Sequence, residues 1–332
     1  MKSKLPLIRL SAVNPLLLEL QKRHCDVSSL LQQFDLPTNV PASAELFAAA
    51  DTIYEVVEQC GATSGDSLFG FSVGSALSIE DWGVMSLPAS RSKTVGELLT
   101  QISLHTSEHS SSTDYYLKTQ GGTSSFGFRR AIRPRCRPAH NDAFYFGLLL
   151  RLLKFSVRGN WDASRVLFRV AAPEHVPKDV SGCRVVEGDW LGVAVTFPTE
   201  WLFEPFDSGQ PGDQPAESGA KGVPRSLVDS IRAALRPHLH DEHLTAEKAS
   251  RLCGFERRRL AKELRDHGTT ISKELALVRA ECAGAALVSS DRPVADIAAE
   301  VGFSDPNVFS RAFKKWTGQS PRAYRRHHKS PD

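Results

Sequence analysis

The sequence predicts an α+β N-terminal domain, followed by an all-α C-terminal domain with two helix-turn-helix units joined by a long helix. Three observations lead to this fold class. The apolar pattern of residues 1–206 alternates between helical and strand periods, a stretch with little bulky aliphatic content follows at 207–226, and every later segment has a helical period. A length of 332 residues suits two domains of ordinary size.

Helical periodicity recurs in separate stretches of the N-terminal domain. Thr94 precedes an apolar run and has Glu97 three residues later, which is the pattern of a capping box. The predicted helices are 14–33, 43–59, a helix after Thr94, and Asp142–Val157.

Alternating apolar and polar residues indicate strands between these helices. The pattern over 114–133 is interrupted by Gly121 and Gly122, as expected for the turn of a β-hairpin. Arg165–Ala171 and Leu191–Phe197 are predicted as further strands. The domain is therefore α+β, with a strand order that the sequence leaves open.

The boundary between the domains is predicted at 207–226, where the sequence is DSGQPGDQPAESGAKGVPRS. Val223 is the single bulky aliphatic residue of this stretch. Such a composition buries too little apolar surface to offset the entropy lost on ordering, which predicts a flexible linker. The N-terminal domain is then 1–206, and the C-terminal domain is 227–332.

After the linker, the predicted helices follow one another with short turns. They are Leu227–Leu239, Thr245–Leu252, Arg257–His267, Ile271–Ser289, Val294–Val301, Asp305–Thr317 and Pro321–Arg326. This order places the first helix-turn-helix unit at about 244–267, the linking helix at 271–289 and the second unit at about 294–317.

The second unit has the clearest pattern. Apolar residues recur at helical spacing from Val294 to Val301, and Gly302 follows where the turn favours a positive φ. Ser304 is predicted to cap the next helix, which begins with an acidic residue and a proline.

That next helix has two different sides. Its aromatic residues share the side that faces the core. The opposite side carries hydrogen-bonding side chains, namely Asn307, Ser310, Arg311 and Lys314. Arg pairs with guanine and Asn with adenine in the major groove, and Ser can contact either, so this side is predicted to read bases.

The segment LTAEKASRLCGFERRRLAKELRDHG repeats this pattern, with Gly254 lying 48 residues before Gly302. Its outward side carries Arg258, Ala261, Lys262 and Arg265. The linking helix of 19 residues would be roughly 28 Å long, close to the ~34 Å between successive major-groove faces. Both units are therefore predicted to contact one side of a duplex. A helical bundle with merely solvated outward residues is the alternative, and the matching turns and basic faces argue against it.

The charge of the chain is divided unevenly. From residue 225 onward there are 20 Lys and Arg against 14 Asp and Glu, while the preceding residues have 21 against 24. A basic C-terminal half suits contact with phosphate, although a basic face that is only solvated has the same composition.

At these residues the sequence resembles a known family. Residues 227–332, above all the stretch GFSDPNVFSRAFKKWTGQSPRAYR, are similar to the DNA-binding domain of the AraC/XylS family of bacterial transcription regulators. The resemblance implies base contacts from Arg258, Ala261, Lys262, Asn307, Ser310 and Arg311. The first recognition helix usually begins with a serine cap, whereas this chain has Glu256, which caps a helix less well.

The N-terminal residues resemble the ligand-sensing and dimerisation domain of one branch of that family, the branch without the small β-barrel sensor. The similar segments are LFGFSVGSAL, LPASRSKTVGELLTQIS, DAFYFGLLLRLL and CRVVEGDWLGVAVTFPTEWLFEP. The resemblance implies promoter DNA, RNA polymerase and a small-molecule effector as partners. It also implies a homodimer formed through helices such as Asp142–Val157, and it favours activation of transcription.

Two clusters suggest other binding chemistry. Arg130, Arg133 and Arg135 present guanidinium groups that suit a carboxylate or phosphate ligand, while a solvated strand end is the plainer interpretation. The histidines of HLHDEH, which are His238, His240 and His243, do not have the spacing of zinc ligands. No metal and no cofactor is therefore predicted.

Enzymatic and architectural functions are the remaining alternatives. A DNA-repair methyltransferase would need clustered cysteines, and the six cysteines are scattered, so the chain is predicted not to be an enzyme. A DNA-architectural protein without a ligand would not need so large an N-terminal domain. The N-terminal apolar stretch is interrupted by Asn14, Pro15 and Glu19, and no apolar run reaches membrane length, which predicts a cytoplasmic protein.

Overall fold

The fold was analysed in a computed structural model that describes residues 5–38, 46–77, 89, 91–178, 182–206, 222–224 and 226–328. Most of the predicted linker 207–226 lies outside these residues, as does the start of the predicted helix 43–59. The strands are β1 (Leu7–Arg9), β2 (Phe47–Ala49), β3 (Thr113–Gln120), β4 (Thr123–Arg130), β5 (Leu167–Val170), β6 (Arg184–Glu187) and β7 (Gly192–Pro198).

Helices make up most of the remaining described residues. In the N-terminal half they are α1 (Asn14–Lys22), α2 (Val27–Gln33), α3 (Ala50–Ser64), α4 (Phe69–Ala76), α5 (Val95–His105) and α6 (Ala139–Val157). In the C-terminal half they are α7 (Leu227–Leu235), α8 (Ala246–Leu252), α9 (Arg257–Asp266), α10 (Ile271–Ser289), α11 (Val294–Glu300), α12 (Pro306–Thr317) and α13 (Pro321–His328). No helix in the described ranges is long and apolar enough to cross a membrane.

A five-stranded sheet in the order β3-β4-β7-β5-β6 organises the N-terminal half. The predicted hairpin is confirmed: β3 and β4 pair antiparallel with Gln120 opposite Thr123, around a turn in which Gly121 has a φ of +58°. The predicted strands are confirmed as β5 and β7, which also pair antiparallel. The short strand β6 was not predicted, and it pairs parallel to β5. In the described residues β3 and β6 are the edge strands, so this sheet is open rather than a closed barrel.

Helix α6 is the central helix of this half, and α4 crosses it closely. A Cβ at Gly74 would overlap the carbonyl oxygen of Phe144, and a Cβ at Gly147 would crowd the carbonyl oxygen of Phe71. The glycine-punctuated run SLFGFSVGSAL is therefore a helix whose glycines allow backbone-to-backbone contact.

Two predictions about the N-terminal helices were wrong in part. The predicted helix 14–33 is interrupted, because His24 has a φ of +59° and Asp26 caps a new helix by accepting a bond from the Ser29 amide at 3.0 Å. The predicted helix 43–59 begins only at Ala50, since the residues before it form β2. In both places a helical spacing of apolar residues occurs in a segment that pairs or turns instead.

The cap predicted at Thr94 is confirmed in one of its two bonds. The Thr94 hydroxyl accepts a bond from the Glu97 amide at 3.2 Å. The Glu97 carboxylate accepts from the Lys93 amide at 2.7 Å, not from the Thr94 amide as in a capping box.

The C-terminal half is helical throughout its described residues, as predicted, and the linking helix occupies Ile271–Ser289. The predicted helix Leu227–Leu239 is shorter: α7 ends at Leu235, and Arg236–His238 form a 3₁₀ turn. Pro237 accounts for this end, since proline has no amide hydrogen to continue the helical ladder.

The strands β1 and β2 form a separate pair, with Leu7 opposite Ala49 and Ile8 opposite Ala48. One face, including Leu7, belongs to the hydrophobic core that contains Ile231 of α7. The other face, including Ile8, belongs to the core of the N-terminal half. The two halves of the chain therefore pack against opposite faces of the same strand pair.

We predict that Gly302→Ala destabilises the chain far more than Gly318→Ala. Both glycines have a φ of +79°, which costs an alanine roughly 1–2 kcal/mol. A Cβ at Gly302 would also overlap the carbonyl oxygen of Leu239, whereas a Cβ at Gly318 would meet no atom within 4 Å. Urea denaturation of both variants measures the difference, and equal losses of unfolding free energy would contradict the assigned close approach.

Candidate nucleic-acid interface

The two helix-turn-helix units share one turn geometry, 48 residues apart. Gly254 and Gly302 have φ values of +69° and +79°. In each unit the amide of the following phenylalanine donates a hydrogen bond to the carbonyl five residues earlier, at 2.9 Å for both Phe255 and Phe303. This is the hydrogen-bond pattern with which a left-handed residue ends a helix. The internal repeat is therefore present in the backbone as well as in the sequence.

Helix α12 begins at a side-chain cap and packs through aromatic residues. The cap is Asp305, whose carboxylate accepts a bond from the Asn307 amide at 2.7 Å. The prediction that Ser304 caps this helix was wrong. Ser304 is exposed, and the carboxylate of the next residue binds the amide in its place. Phe309 and Phe313 are fully buried, with ring centroids 5.6 Å apart.

The side of α12 opposite this core faces solvent. Asn307, Arg311 and Lys314 are exposed, and Ser310 is half-buried. The Ser310 hydroxyl donates to the Pro306 carbonyl at 2.8 Å, which leaves its oxygen as an acceptor. In α9 the corresponding outward residues are all exposed: Arg258, Ala261, Lys262 and Arg265. The structure thus places the predicted residues on two outward helix faces.

The cations on these faces differ from other cations of the C-terminal half. Arg236 lies 2.6 Å from Glu281, and Arg292 lies 2.6 Å from Glu300. For Arg311, Lys314 and the cations of α9 already named, the described part of the chain provides no side-chain ion pair. Unpaired, exposed cations on two repeated helices give these faces a positive potential that suits a phosphate-lined partner.

The first unit is the less complete of the two. Glu256 occupies the cap position of α9, and its side chain makes no capping hydrogen bond. Ala261 offers a methyl group and no hydrogen-bonding atom on the outward face. The chemistry of α9 is therefore mainly that of its cations.

Sequence reasoning missed other exposed residues on the same surface. Val308 is 42% exposed, and an apolar side chain in this position suits the methyl group of thymine. Arg257, Lys315 and Arg322 are exposed cations beside the predicted faces. Their helical spacing is the signal that identifies them: Lys315 follows Arg311 by four residues, one turn of α12.

The three arginines proposed for ligand binding point to different partners. Arg130 lies 2.5 Å from Asp142, and both side chains are completely buried. Arg133 stacks on Trp190 at 4.8 Å from the ring centroid, and Arg135 lies 3.4 Å from Asp51. A ligand carboxylate would have to replace the Asp142 carboxylate at Arg130, so ligand binding by these three arginines stays a prediction without geometric support.

The three histidines of HLHDEH also have different surroundings. His238 is buried, and its Nδ1 lies 2.7 Å from the carbonyl oxygen of Asp35. Burial lowers the pKa of His238 to about 4. The Nδ1 of His240 instead lies 3.1 Å from the Pro237 carbonyl, and His243 is exposed. His238 therefore serves the contact between the two halves of the chain.

Two family models match this chain. Residues 249–327 match a model described as a helix-turn-helix domain. Residues 25–206, more than half of the chain, match the arabinose-binding domain of AraC transcription regulator, N-term. The chain belongs to the AraC family of transcription regulators. The resemblance in the sequence is thereby confirmed for both halves of this AraC-family chain.

Curated relatives of this AraC-family chain are transcription regulators. The transcriptional activator NphR of Rhodococcus sp. is 33% identical over 98 residues, which are 30% of this chain and 29% of the relative. The ornithine utilization regulator of Pseudomonas aeruginosa is 32% identical over 143 residues, 41% of each chain. The chain thus matches less than half the length of these two relatives. The HTH-type transcriptional regulator VqsM of Pseudomonas aeruginosa is 21% identical over 300 residues, 86% of this chain and 91% of the relative.

Solved structures of regulators are also similar to this AraC-family chain. The transcriptional regulator CdpR from Pseudomonas aeruginosa aligns over 95% of this chain and 98% of its own, with 18% identity and a TM-score of 0.39. The DNA-binding domain of AdpA, solved in complex with a target DNA, aligns over 31% of this chain and 93% of its own, with 26% identity and a TM-score of 0.28.

We predict that the core and outward sides of α12 respond differently to truncation. Phe313→Ala should lower the unfolding free energy by ~3–5 kcal/mol, because it leaves a cavity beside Phe309 and Tyr324. Arg311→Ala should change it by less than about 0.5 kcal/mol, because the side chain is exposed. Chemical denaturation checks both values. A large loss of stability in Arg311→Ala would mean that this arginine supports the fold.

Proposed function

We propose that this chain is a sequence-specific DNA-binding transcription regulator, in which α9 and α12 enter successive segments of the major groove. The observation that carries the proposal is the repeated helix-turn-helix geometry, with exposed cations that are unpaired in the described residues on both second helices. A helix of this kind fits the major groove of B-DNA, and its cations neutralise phosphates at the groove edges.

The side chains of α12 suit two different tasks. Arg311, at the centre of the outward face, can donate two parallel hydrogen bonds to guanine, and Asn307 can pair with adenine in the same way. Lys314 is one turn further along, where a flexible ammonium group suits a phosphate. We assign base reading to Arg311 and Asn307, and backbone contact to Lys314.

Helix α10 sets the distance between the two reading helices. Its 19 residues correspond to roughly 28 Å, similar to the ~34 Å helical repeat of DNA. We therefore propose that both units bind one face of a duplex, with recognised segments about one turn apart.

The N-terminal half is proposed to sense a small-molecule effector and to form a homodimer. The match to a ligand-binding domain of AraC supports the first proposal, and the activator NphR among the relatives supports activation of transcription. RNA polymerase as a partner is proposed from the resemblance in the sequence. The homodimer is proposed from the resemblance in the sequence, and Phe155 of α6, which is 51% exposed, is the residue we assign to a contact between two copies of this helix. We propose a cytoplasmic location, because the proposed DNA target lies there.

An enzymatic function receives no support from the thiols. Methyl transfer to a cysteine requires a thiolate, which a lowered pKa supplies. Burial raises the pKa of Cys60, Cys136 and Cys253 to about 12 in each case. We therefore propose that these three cysteines do not accept methyl groups.

We predict that Arg311→Ala and Lys314→Ala weaken DNA binding in different ways. A preferred duplex is first selected from a random pool with the full chain, and binding isotherms are then measured at several salt concentrations. Arg311→Ala should cost ~1–3 kcal/mol on the selected duplex and relax the preference at one base position. Lys314→Ala should weaken binding to selected and scrambled duplexes alike, and make the salt slope shallower by about one. If Arg311→Ala weakens both duplexes equally, this arginine contacts the backbone and our assignment is wrong.

We predict, in addition, that the two recognised segments must keep their spacing. Inserting 5 base pairs between them turns one segment about half a turn away from the protein, so only one unit can bind at a time. The affinity should fall to that of a duplex with a single segment. Unchanged affinity after the insertion would show that the units do not bind one duplex face together.

A further inference from the structure

A cavity in the N-terminal half lies between β1, the helices α1, α3 and α6, and the strand β3. The space between its walls, with the open solvent at its mouth included, is about 670 Å³. The segment Thr106–Thr113, between α5 and β3, lines another part of its wall.

Most of the wall is apolar. Ile8, Val13, Leu16, Ile53 and Val57 contribute aliphatic surface. Aromatic rings form a second group of contacts: Phe128 lies 5.2 Å from Tyr115 and 4.8 Å from Tyr145, measured between ring centroids. A planar or aliphatic ligand body would find hydrocarbon and ring surface on several sides.

Hydrogen-bonding groups of the lining are concentrated in the segment that joins α5 to β3. The Ser110 and Ser112 hydroxyls lie 2.8 Å apart, and the Tyr54 hydroxyl donates to Ser112 at 3.3 Å. The Nδ1 atom of His109 is buried and has no hydrogen-bond partner among the described residues. A buried polar atom without a partner is unfavourable, so a ligand hydroxyl or carbonyl near His109 would remove a cost that the empty cavity carries.

The lining residues carry no formal charge at neutral pH. None of the described residues that line the cavity is Asp, Glu, Lys or Arg. Burial lowers the pKa of the His109 imidazole and raises the pKa of the Tyr54 hydroxyl, so both groups are neutral. The Arg130 guanidinium lies behind the wall, 5.1 Å from the Tyr54 ring centroid, and its charge is balanced by Asp142 at 2.5 Å.

These features select among ligand classes. A carboxylate or phosphate would lose its hydration without meeting a cation among the residues that line the cavity, which is strongly unfavourable. A free sugar has hydroxyl groups around its whole ring, and those on the aliphatic side of the cavity would face hydrocarbon, which is unfavourable for the same reason. An uncharged molecule with an apolar body and one or two hydrogen-bonding groups meets neither penalty.

We propose that this cavity is a binding site for a small, uncharged, largely apolar molecule with a hydroxyl or carbonyl group at one end. Calling that molecule the effector rests on the proposed regulatory function, whereas its chemical class rests on the cavity alone.

The position of β1 connects the cavity with the C-terminal half. Ile8 lines the cavity, and Leu7 beside it belongs to the core shared with α7. The Arg9 amide donates to the His109 carbonyl at 2.9 Å, and the Ser111 amide donates to the Leu7 carbonyl at 2.9 Å. A ligand that shifts this wall therefore acts on a strand that both halves share.

The test uses 2-naphthol as the uncharged probe and 2-naphthoate as its charged counterpart, with the full chain at neutral pH. Fluorescence titration and equilibrium dialysis measure the affinity and the number of molecules bound. Two variants fill the cavity from different walls, Ala12→Phe and Val57→Phe. Ala62→Phe on the exposed side of α3 is the matched control. Thermal melts identify any variant that does not fold.

We expect one 2-naphthol molecule per chain, binding about tenfold or more tighter than 2-naphthoate. Ala12→Phe and Val57→Phe should each weaken 2-naphthol binding about tenfold or more, while Ala62→Phe should not. Equal binding of the two probes, unchanged binding in a folded cavity-filling variant, or no saturable binding of 2-naphthol would overturn the proposal.

DNA binding of the same preparations is measured separately. Naphthol binding without DNA binding would support the cavity and contradict the proposed function. DNA binding without naphthol binding would support the proposed function and contradict the cavity as a binding site.

Discussion

The pairing of β1 with β2 is the contact on which the arrangement of the two halves depends. Side chains alternate across a strand, so Leu7 and Ile8 point to opposite faces of the pair. Both faces are covered, one by the core around Ile231 and the other by the core of the N-terminal half. A shift of one residue would exchange the two faces, which fixes the register wherever both are buried. Burying a side chain such as Leu7 stabilises the contact by ~1.5–3 kcal/mol.

The two helix-turn-helix units differ in how they pack against this strand pair. The core of the first unit, with Leu260 and Leu264, is continuous with the side chains of β1 and β2. The second unit has a core of its own around Phe309 and Phe313. Polar contacts reinforce the asymmetry, because Lys248 of α8 lies 2.5 Å from the Asp35 carboxylate of the N-terminal half. The first unit, unlike the core of the second, is therefore joined directly to the N-terminal half.

The prediction from sequence succeeded where a local signal has one structural solution. The turn at Gly302, the cap at Thr94 and the hairpin turn at Gly121 each depend on the conformation or hydrogen bonding of a few neighbouring residues. The outward face of α12 followed from helical spacing alone, and its exposed residues Arg311 and Lys314 lie where that spacing places them. The assignment of these residues to bases or phosphates depends on the duplex, and so it stays a prediction.

The prediction failed where distant residues decide. The apolar spacing over 43–59 predicted one helix, yet Phe47–Ala49 is a strand because β1 supplies its hydrogen-bond partners. The strand β6 depends in the same way on β5, which is distant in sequence and lies parallel to it. The sequence places Arg130 in a basic cluster and suggests an exposed ligand-binding residue. In the fold, Asp142 lies against it, and the two side chains form a fully buried ion pair.

The sequence by itself therefore determined the class of the protein, the repeated helix-turn-helix units and the outward faces of their second helices, because period, caps and turns are local properties of the chain. The tertiary structure alone decided the partner of each short strand, the cavity beside His109 and the packing of the first unit against β1 and β2. These features depend on contacts between residues far apart in sequence, and such contacts leave no local pattern to read.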